Sequence, residues 1–196
     1  VVTNTPGANT IGVAELVFGL LLSLARRLPE ADAGVKKGGW PHLPGWELHG
    51  RTLGLVGLGQ VGRAVASRAL AFGMRVQGYD PFVANVAGVE PVALQRLFES
   101  SDVISLHVPL TPANRHLLNE AAFDVMRPGA VVINTARGGL IDEAAMARAL
   151  ADGRLAAAAC DAFGHEPPID PPLFAPPNFL APSHPRAATP APIPPQ

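Results

Sequence analysis

The sequence predicts an α/β protein built on a doubly wound parallel sheet. Short apolar runs recur along the chain, segments with three- and four-residue apolar spacing separate them, and the runs are apolar on both faces rather than alternating. Strands that are buried on both sides and joined through helices pair in parallel, with helices covering each face. The 196 residues, 48% hydrophobic and 16% charged, suffice for one domain of ordinary size with a full core.

Each element follows from local chemistry. Asn9 and Thr10 can cap a first helix through Ile11, Ala14, Val17, Leu21 and Leu24, apolar on more than one face and so either deeply buried or packed on a partner. Pro29 suits the first turn of a second helix, with Glu30 and Asp32 early and Lys36 and Lys37 late, as the helix dipole prefers. Gly38 and Gly39 end it, and 40–50, with two Trp, two Pro and two His, reads as a loop. The periods then alternate: strand 52–56, helix 60–72, strand 75–79, helix 91–99, strand 102–108, helix 119–126, strand 130–134, helix 142–151 and strand 156–160. A further strand is expected over 178–181. Twelve of the 21 prolines lie between Pro167 and Pro195, so the end of the chain, 190–196, is expected to be an extended strap.

Composition narrows the function. Fifteen Lys and Arg against sixteen Asp and Glu leave a net charge of −1, without the basic excess that nucleic-acid binding requires. The most apolar stretch, 16–25, is shorter than the roughly 20 residues that span a bilayer, so no membrane partner is expected. One cysteine, Cys160, excludes an internal disulfide and a multi-cysteine metal site, and no metal is expected. These features predict a soluble, cytoplasmic protein. The first residue is Val1 and no signal-peptide pattern follows it, so the sequence is expected to begin in mid-protein.

The strongest local signal is Gly57-Leu-Gly59-Gln60-Val61-Gly62, between the 52–56 strand and the next helix. Here Gly57 permits the tight turn, Gly59 lets the backbone approach a pyrophosphate, and Gly62 lets helix and strand pack closely. The helix N-terminus offers free N–H groups to the phosphates. A glycine-rich turn alone is a weak signal, but Asp80 ends the next strand 18 residues past Gly62, close to the ~20-residue spacing of a ribose-binding acid. A carboxylate there repels a 2′-phosphate, which favours NAD over NADP. The pattern identifies a Rossmann-type NAD-binding domain, with NAD as the expected cofactor.

Ionisable residues follow three successive strand ends: Arg137 after 130–134, Asp161 and Glu166 after 156–160, and His184 after the 178–181 segment. Ligands bind outside those ends in an open parallel sheet. A His can take a hydroxyl proton, an acid can orient that His, and a guanidinium can clamp a carboxylate. Singly, each has a plainer reading: a solvated loop charge for Arg137, a capping acid for Glu166, a packed ring for His184. His107, His116 and His165 lack metal-ligand spacing and read as structural or solvated, and Cys160 as an inert strand thiol.

Longer motifs narrow the choice. Asn134-Thr-Ala-Arg137-Gly-Gly-Leu-Ile-Asp142-Glu143, Cys160-Asp161-Ala-Phe163-Gly-His-Glu166-Pro167 and the opening stretch from Asn4 to Glu15 resemble the D-isomer-specific 2-hydroxy-acid dehydrogenases, over 1–189. The resemblance implies that Arg137 binds the substrate carboxylate, that Glu166 pairs with the catalytic His, and that His184, five residues before Thr189, is the base. It implies cofactor contacts from Gly57, Gly59, Gln60, Val61, Gly62, Asp80, Val108, Pro109, Thr135, Ala136, Arg137, Asp161 and His184. The implied substrate is a small 2-hydroxy or 2-oxo acid. The first helix and the 40–46 arm resemble the family's dimer contact, which implies a homodimer; an internal core helix is the alternative.

Departures accompany these matches. Pro185 follows His184 where the family has a small, Gly-rich stretch, and 189–196 cannot form the family's terminal helix. The segment that precedes the first helix in the family is missing, so the substrate domain is expected to be largely absent. The chain is then an NAD-binding domain over 1–189, with a helical arm at 1–50 and a Rossmann core at 51–189. Two other readings stay open: an NAD-binding module without turnover, and an NADH-sensing interaction protein like the related corepressors.

Overall fold

The computed structural model describes residues 9–165, 168 and 172–182. Among them, seven strands form one parallel sheet: β1 (Thr52–Val56), β2 (Arg75–Tyr79), β3 (Glu90–Pro91), β4 (Val103–Leu106), β5 (Ala130–Asn134), β6 (Leu155–Cys160) and β7 (Phe179–Leu180). The spatial order is β3-β2-β1-β4-β5-β6-β7. The order reverses between β1 and β4, which opens a crevice at their carboxyl ends.

Two helical layers follow from side-chain alternation along the strands. Val56, Ile104, Leu106, Val132 and Ala158 face one side, against α4 (Leu94–Ser100), α5 (Glu120–Val125) and α6 (Glu143–Ala151). Leu53, Leu55, Val103, Val131 and Ile133 face the other, against α1 (Thr10–Ala25) and α3 (Gln60–Ala71). Each fully buried Leu on these faces contributes roughly 1.5–3 kcal/mol relative to an exposed one. The fold class is as the sequence predicts.

The first helix shows how apolar faces were allotted. α1 buries Val13, Ala14, Val17, Phe18, Leu20, Leu21 and Ala25 in the second layer, beside α3. It is a core helix rather than part of an arm. The following α2 (Leu28–Lys36) has no buried residue at all, and Leu28, Val35 and Trp40 stand exposed around it.

Boundaries moved where backbone bonding demanded it. The expected helix over 91–99 begins only at Leu94, because Glu90 and Pro91 pair with Gln77 and Gly78 as an edge strand. Proline, lacking an N–H, is tolerated there because the edge asks for little pairing. The expected strand 102–108 shortens to Val103–Leu106; Asp102 turns away to accept from Thr52 N (2.8 Å) and to pair with Arg127 at 3.1 Å. None of the helices among the described residues is long and apolar enough to cross a membrane.

Candidate functional site

The glycine loop leaves β1 at the reversal point. Gly57 has φ +101°, a conformation that side chains rarely adopt, and a Cβ there would lie 2.6 Å from the His107 carbonyl oxygen. A Cβ on Gly62 would collide with the Gly57 carbonyl, so α3 can start hard against the strand only with glycine at that place. Gly59 differs: no heavy atom lies within 4 Å of the position its Cβ would take. It is the N-cap of α3, and no side-chain cap bond covers the first turn, which begins at Gln60 and Val61. That arrangement fits a pyrophosphate.

Asp80 ties the loop to β2. Its Oδ2 accepts from Leu58 N at 2.8 Å, and Oδ1 accepts from Phe82 N at 2.8 Å and Val83 N at 3.1 Å. Burial alone would raise its pKa; the three backbone N–H groups and the nearby Arg63 outweigh that and hold the carboxyl below its ordinary value. A carboxylate offers about four acceptor positions, so room remains on Oδ2 for a ribose hydroxyl.

Across the crevice, a cavity of about 210 Å³ gathers Val61, Val108, Pro109, Thr135, Ala136 and Arg137. These six expected site residues come from three separate elements, joined only by the fold. The cavity also holds Asn9, Val13 and His107, which the sequence did not mark as site residues. Arg137 is exposed, and its Nη1 donates to the Ala136 carbonyl at 2.8 Å. Asp161 is buried just past the end of β6, its N–H donating to Asn134 O at 3.2 Å. Glu166 and His184 lie outside the described residues.

His107, expected to be structural or solvated, also lines the cavity. It is half-buried, and its Nε2 lies 2.9 Å from the Oγ of the fully buried Ser105. Burial pushes the imidazole down to about 4, so the ring is neutral at neutral pH. The only available signal was its place two residues beyond Ser105, on the same strand face and directly after β4. Cys160 is buried, and burial with the nearby Glu143 and Asp161 pushes its thiol far up, so it stays protonated and inert.

The turn after Arg137 is braced on two sides. His116 N donates to Gly139 O at 2.9 Å and Leu118 N to Leu140 O at 3.0 Å. A Cβ on Gly138 would overlap the Phe163 backbone, and Gly164 N donates to Glu143 Oε1 at 2.7 Å. His116 holds φ +52° to make its contact, a conformation costing an L-residue about 1–2 kcal/mol. We expect His116→Val to be less stable than His116→Gly by at least about 1 kcal/mol, since a β-branched residue tolerates this region worst. Chemical denaturation of both variants checks this, and equal stabilities would contradict the strain.

A larger groove of about 790 Å³ lies elsewhere, between Leu24, Arg27 and Glu30 near the α1–α2 junction and Asn178 to Leu180. Its charged pair is already satisfied, with Arg27 bonding Glu30 through two 2.8 Å contacts, and it lacks the loop amides and acid of the crevice. Expected site residues line the smaller cavity instead.

The sequence profile described as D-isomer specific 2-hydroxyacid dehydrogenase, NAD binding domain, matches residues 18–185. The chain belongs to this family. As a 2-hydroxyacid dehydrogenase NAD-binding domain it is 46% identical over 196 residues to the D-3-phosphoglycerate dehydrogenase of Methanocaldococcus jannaschii, covering 96% of this chain and 37% of that one. It is 48% identical over 172 residues to the hydroxypyruvate reductase of Thermotoga maritima, covering 86% of this chain and 56% of the relative. Among solved structures, the NAD complex of an NAD-dependent formate dehydrogenase from Staphylococcus aureus superposes with a TM-score of 0.88 at 32% identity, covering 93% of this chain and 57% of that one. The domain thus spans little more than a third to about a half of the length of its relatives.

Proposed function

We propose that this domain serves an NAD-dependent oxidoreductase that moves a hydride between a small D-2-hydroxy acid, such as 3-phosphoglycerate, and NAD. The observation that carries the proposal is the crevice itself. A capless helix start and a loop-bound acid lie on one side of the sheet's reversal point, and an exposed arginine lies in a cavity on the other. Bound NAD supplies the hydride acceptor. The first-turn amides at Gln60 and Val61 hold its pyrophosphate, Asp80 its ribose, and Thr135, Ala136, Val108 and Pro109 the walls of its site, with Asp161 just past the end of β6. Arg137 takes the substrate carboxylate in a bidentate pair. His184 receives the hydroxyl proton and Glu166 supports its charge; both roles rest on the family motifs.

A homodimer and a cytoplasmic location belong to the same proposal. The dimer is supported by α2, which buries nothing in its own chain while Leu28, Val35 and Trp40 stand exposed. Titration with NADH and NADPH tests the cofactor assignment. We expect NADH to bind at least about tenfold more tightly, and Asp80→Ala to weaken NADH by about tenfold, a loss of ~1.4 kcal/mol. Equal affinity for the two nucleotides, or an unaffected Asp80→Ala variant, would overturn the ribose assignment.

A further inference from the structure

We propose that Asn134 is the positioning residue that aims Arg137 at a substrate carboxylate; this rests on the carboxylate role proposed for Arg137. Asn134 is completely buried at the end of β5, between Leu106 of β4 and Cys160 of β6. Its side chain leaves the sheet and closes the turn that follows. Oδ1 accepts from Ala136 N at 3.0 Å, and Nδ2 donates to Arg137 O at 2.9 Å. The Ala136 carbonyl in turn accepts from Arg137 Nη1 at 2.8 Å. The amide of Asn134 thus fixes the Ala136 N–H on one side and the Arg137 carbonyl on the other. The peptide between them holds the guanidinium.

Asparagine alone suits this task. The turn needs one acceptor and one donor on the same short side chain. Aspartate keeps the acceptor but sets a carboxylate oxygen against the Arg137 carbonyl. Serine can accept from the Ala136 N–H, as in an ST-turn, but offers no amide to Arg137. Glutamine is one methylene too long for a site with no exposed surface. The backbone of Asn134 adds a further link, because its carbonyl accepts from Asp161 N at 3.2 Å, so the β5 and β6 ends are held in register beneath the turn.

The test uses oxalate, a two-carbon dicarboxylate that presents the carboxylate and adjoining oxygen of a 2-oxo acid. Its binding to the protein–NADH complex is followed by NADH fluorescence, with NADH affinity and Tm measured alongside. For Asn134→Asp and Asn134→Ser we expect oxalate affinity to fall by about tenfold or more while NADH affinity changes less than about threefold. Arg137→Ala sets the scale for complete loss of the clamp. The serine variant keeps the experiment decisive if the buried carboxylate of the aspartate variant prevents folding. A residue that only stiffened the sheet would move Tm and both affinities together, and that result overturns the proposal. So does unchanged oxalate affinity in a folded variant. Failure of the wild-type NADH complex to bind oxalate is distinct, since it overturns the carboxylate role of Arg137 and the positioning role with it.

Discussion

Gly62→Ala is expected to lower stability by about 2–3 kcal/mol and to abolish measurable NADH binding, whereas Gly59→Ala should lose binding while keeping the fold. The two glycines sit three residues apart and answer to different constraints. At Gly62 the added methyl meets the Gly57 carbonyl, backbone against backbone at the α3–β1 junction, and neither side can turn away. Overpacking of this kind costs typically 1–3 kcal/mol and displaces the elements involved, here the two that present the loop amides. At Gly59 the methyl meets nothing within 4 Å, and φ −67° is open to any residue. It fills only the space that a pyrophosphate needs. Thermal melts and NADH titrations of both variants separate the cases. A Gly59→Ala protein that binds NADH normally would show that the phosphates do not approach this loop, and a fully stable Gly62→Ala protein would contradict the packing.

Stability should fall as pH drops from about 6.5 to about 4, by up to about 3 kcal/mol, through His107. Its ring is held near 4 in the folded chain, against an ordinary 6.5. Between those values the unfolded chain binds a proton that the folded chain refuses, so acid favours unfolding; above 6.5 both rings are neutral and the contribution is complete. Asp80 acts in a separate window: its folded pKa lies below 3.8, so its contribution is present above that value and is lost only as pH falls further. Denaturant unfolding of wild type and His107→Gln between pH 4.5 and 7.5 isolates the histidine. The variant should have the flatter profile, and two parallel profiles would assign the acid sensitivity to other groups.

His107 also marks the limit of reading a site from sequence. A histidine after an apolar strand looks the same whether it is solvated, packed or turned into a cavity. Its setting comes from Ser105 on its own strand, Val56, whose carbonyl accepts the His107 N–H at 2.7 Å, and the α1 residues Asn9 and Val13, about 95 positions earlier in the chain. Asn134 was visible as part of a motif, yet its work became apparent only from the two bonds its amide makes around the turn. The acid Asp80 was legible because its spacing from the glycine loop is set by one strand–helix–strand unit. Its hold on Leu58 N was not, since that depends on how the loop folds back over β2.

The sequence by itself determined the parallel sheet, the positions of most strands and the glycine loop of an NAD-binding domain. These depend on apolar periodicity, on steric exclusion at glycine and on short spacings, all of which act along the chain. Tertiary structure alone decided that α1 belongs to the core while α2 lies outside it. A helix that is apolar on several faces announces a need for burial without saying which surface will meet it, and that surface came from α3, β5 and β6. The same holds for the cavity at Arg137. Its walls come from the ends of α1, α3, β4 and β5, and only assembly of the sheet and its helices brings those ends around one cavity.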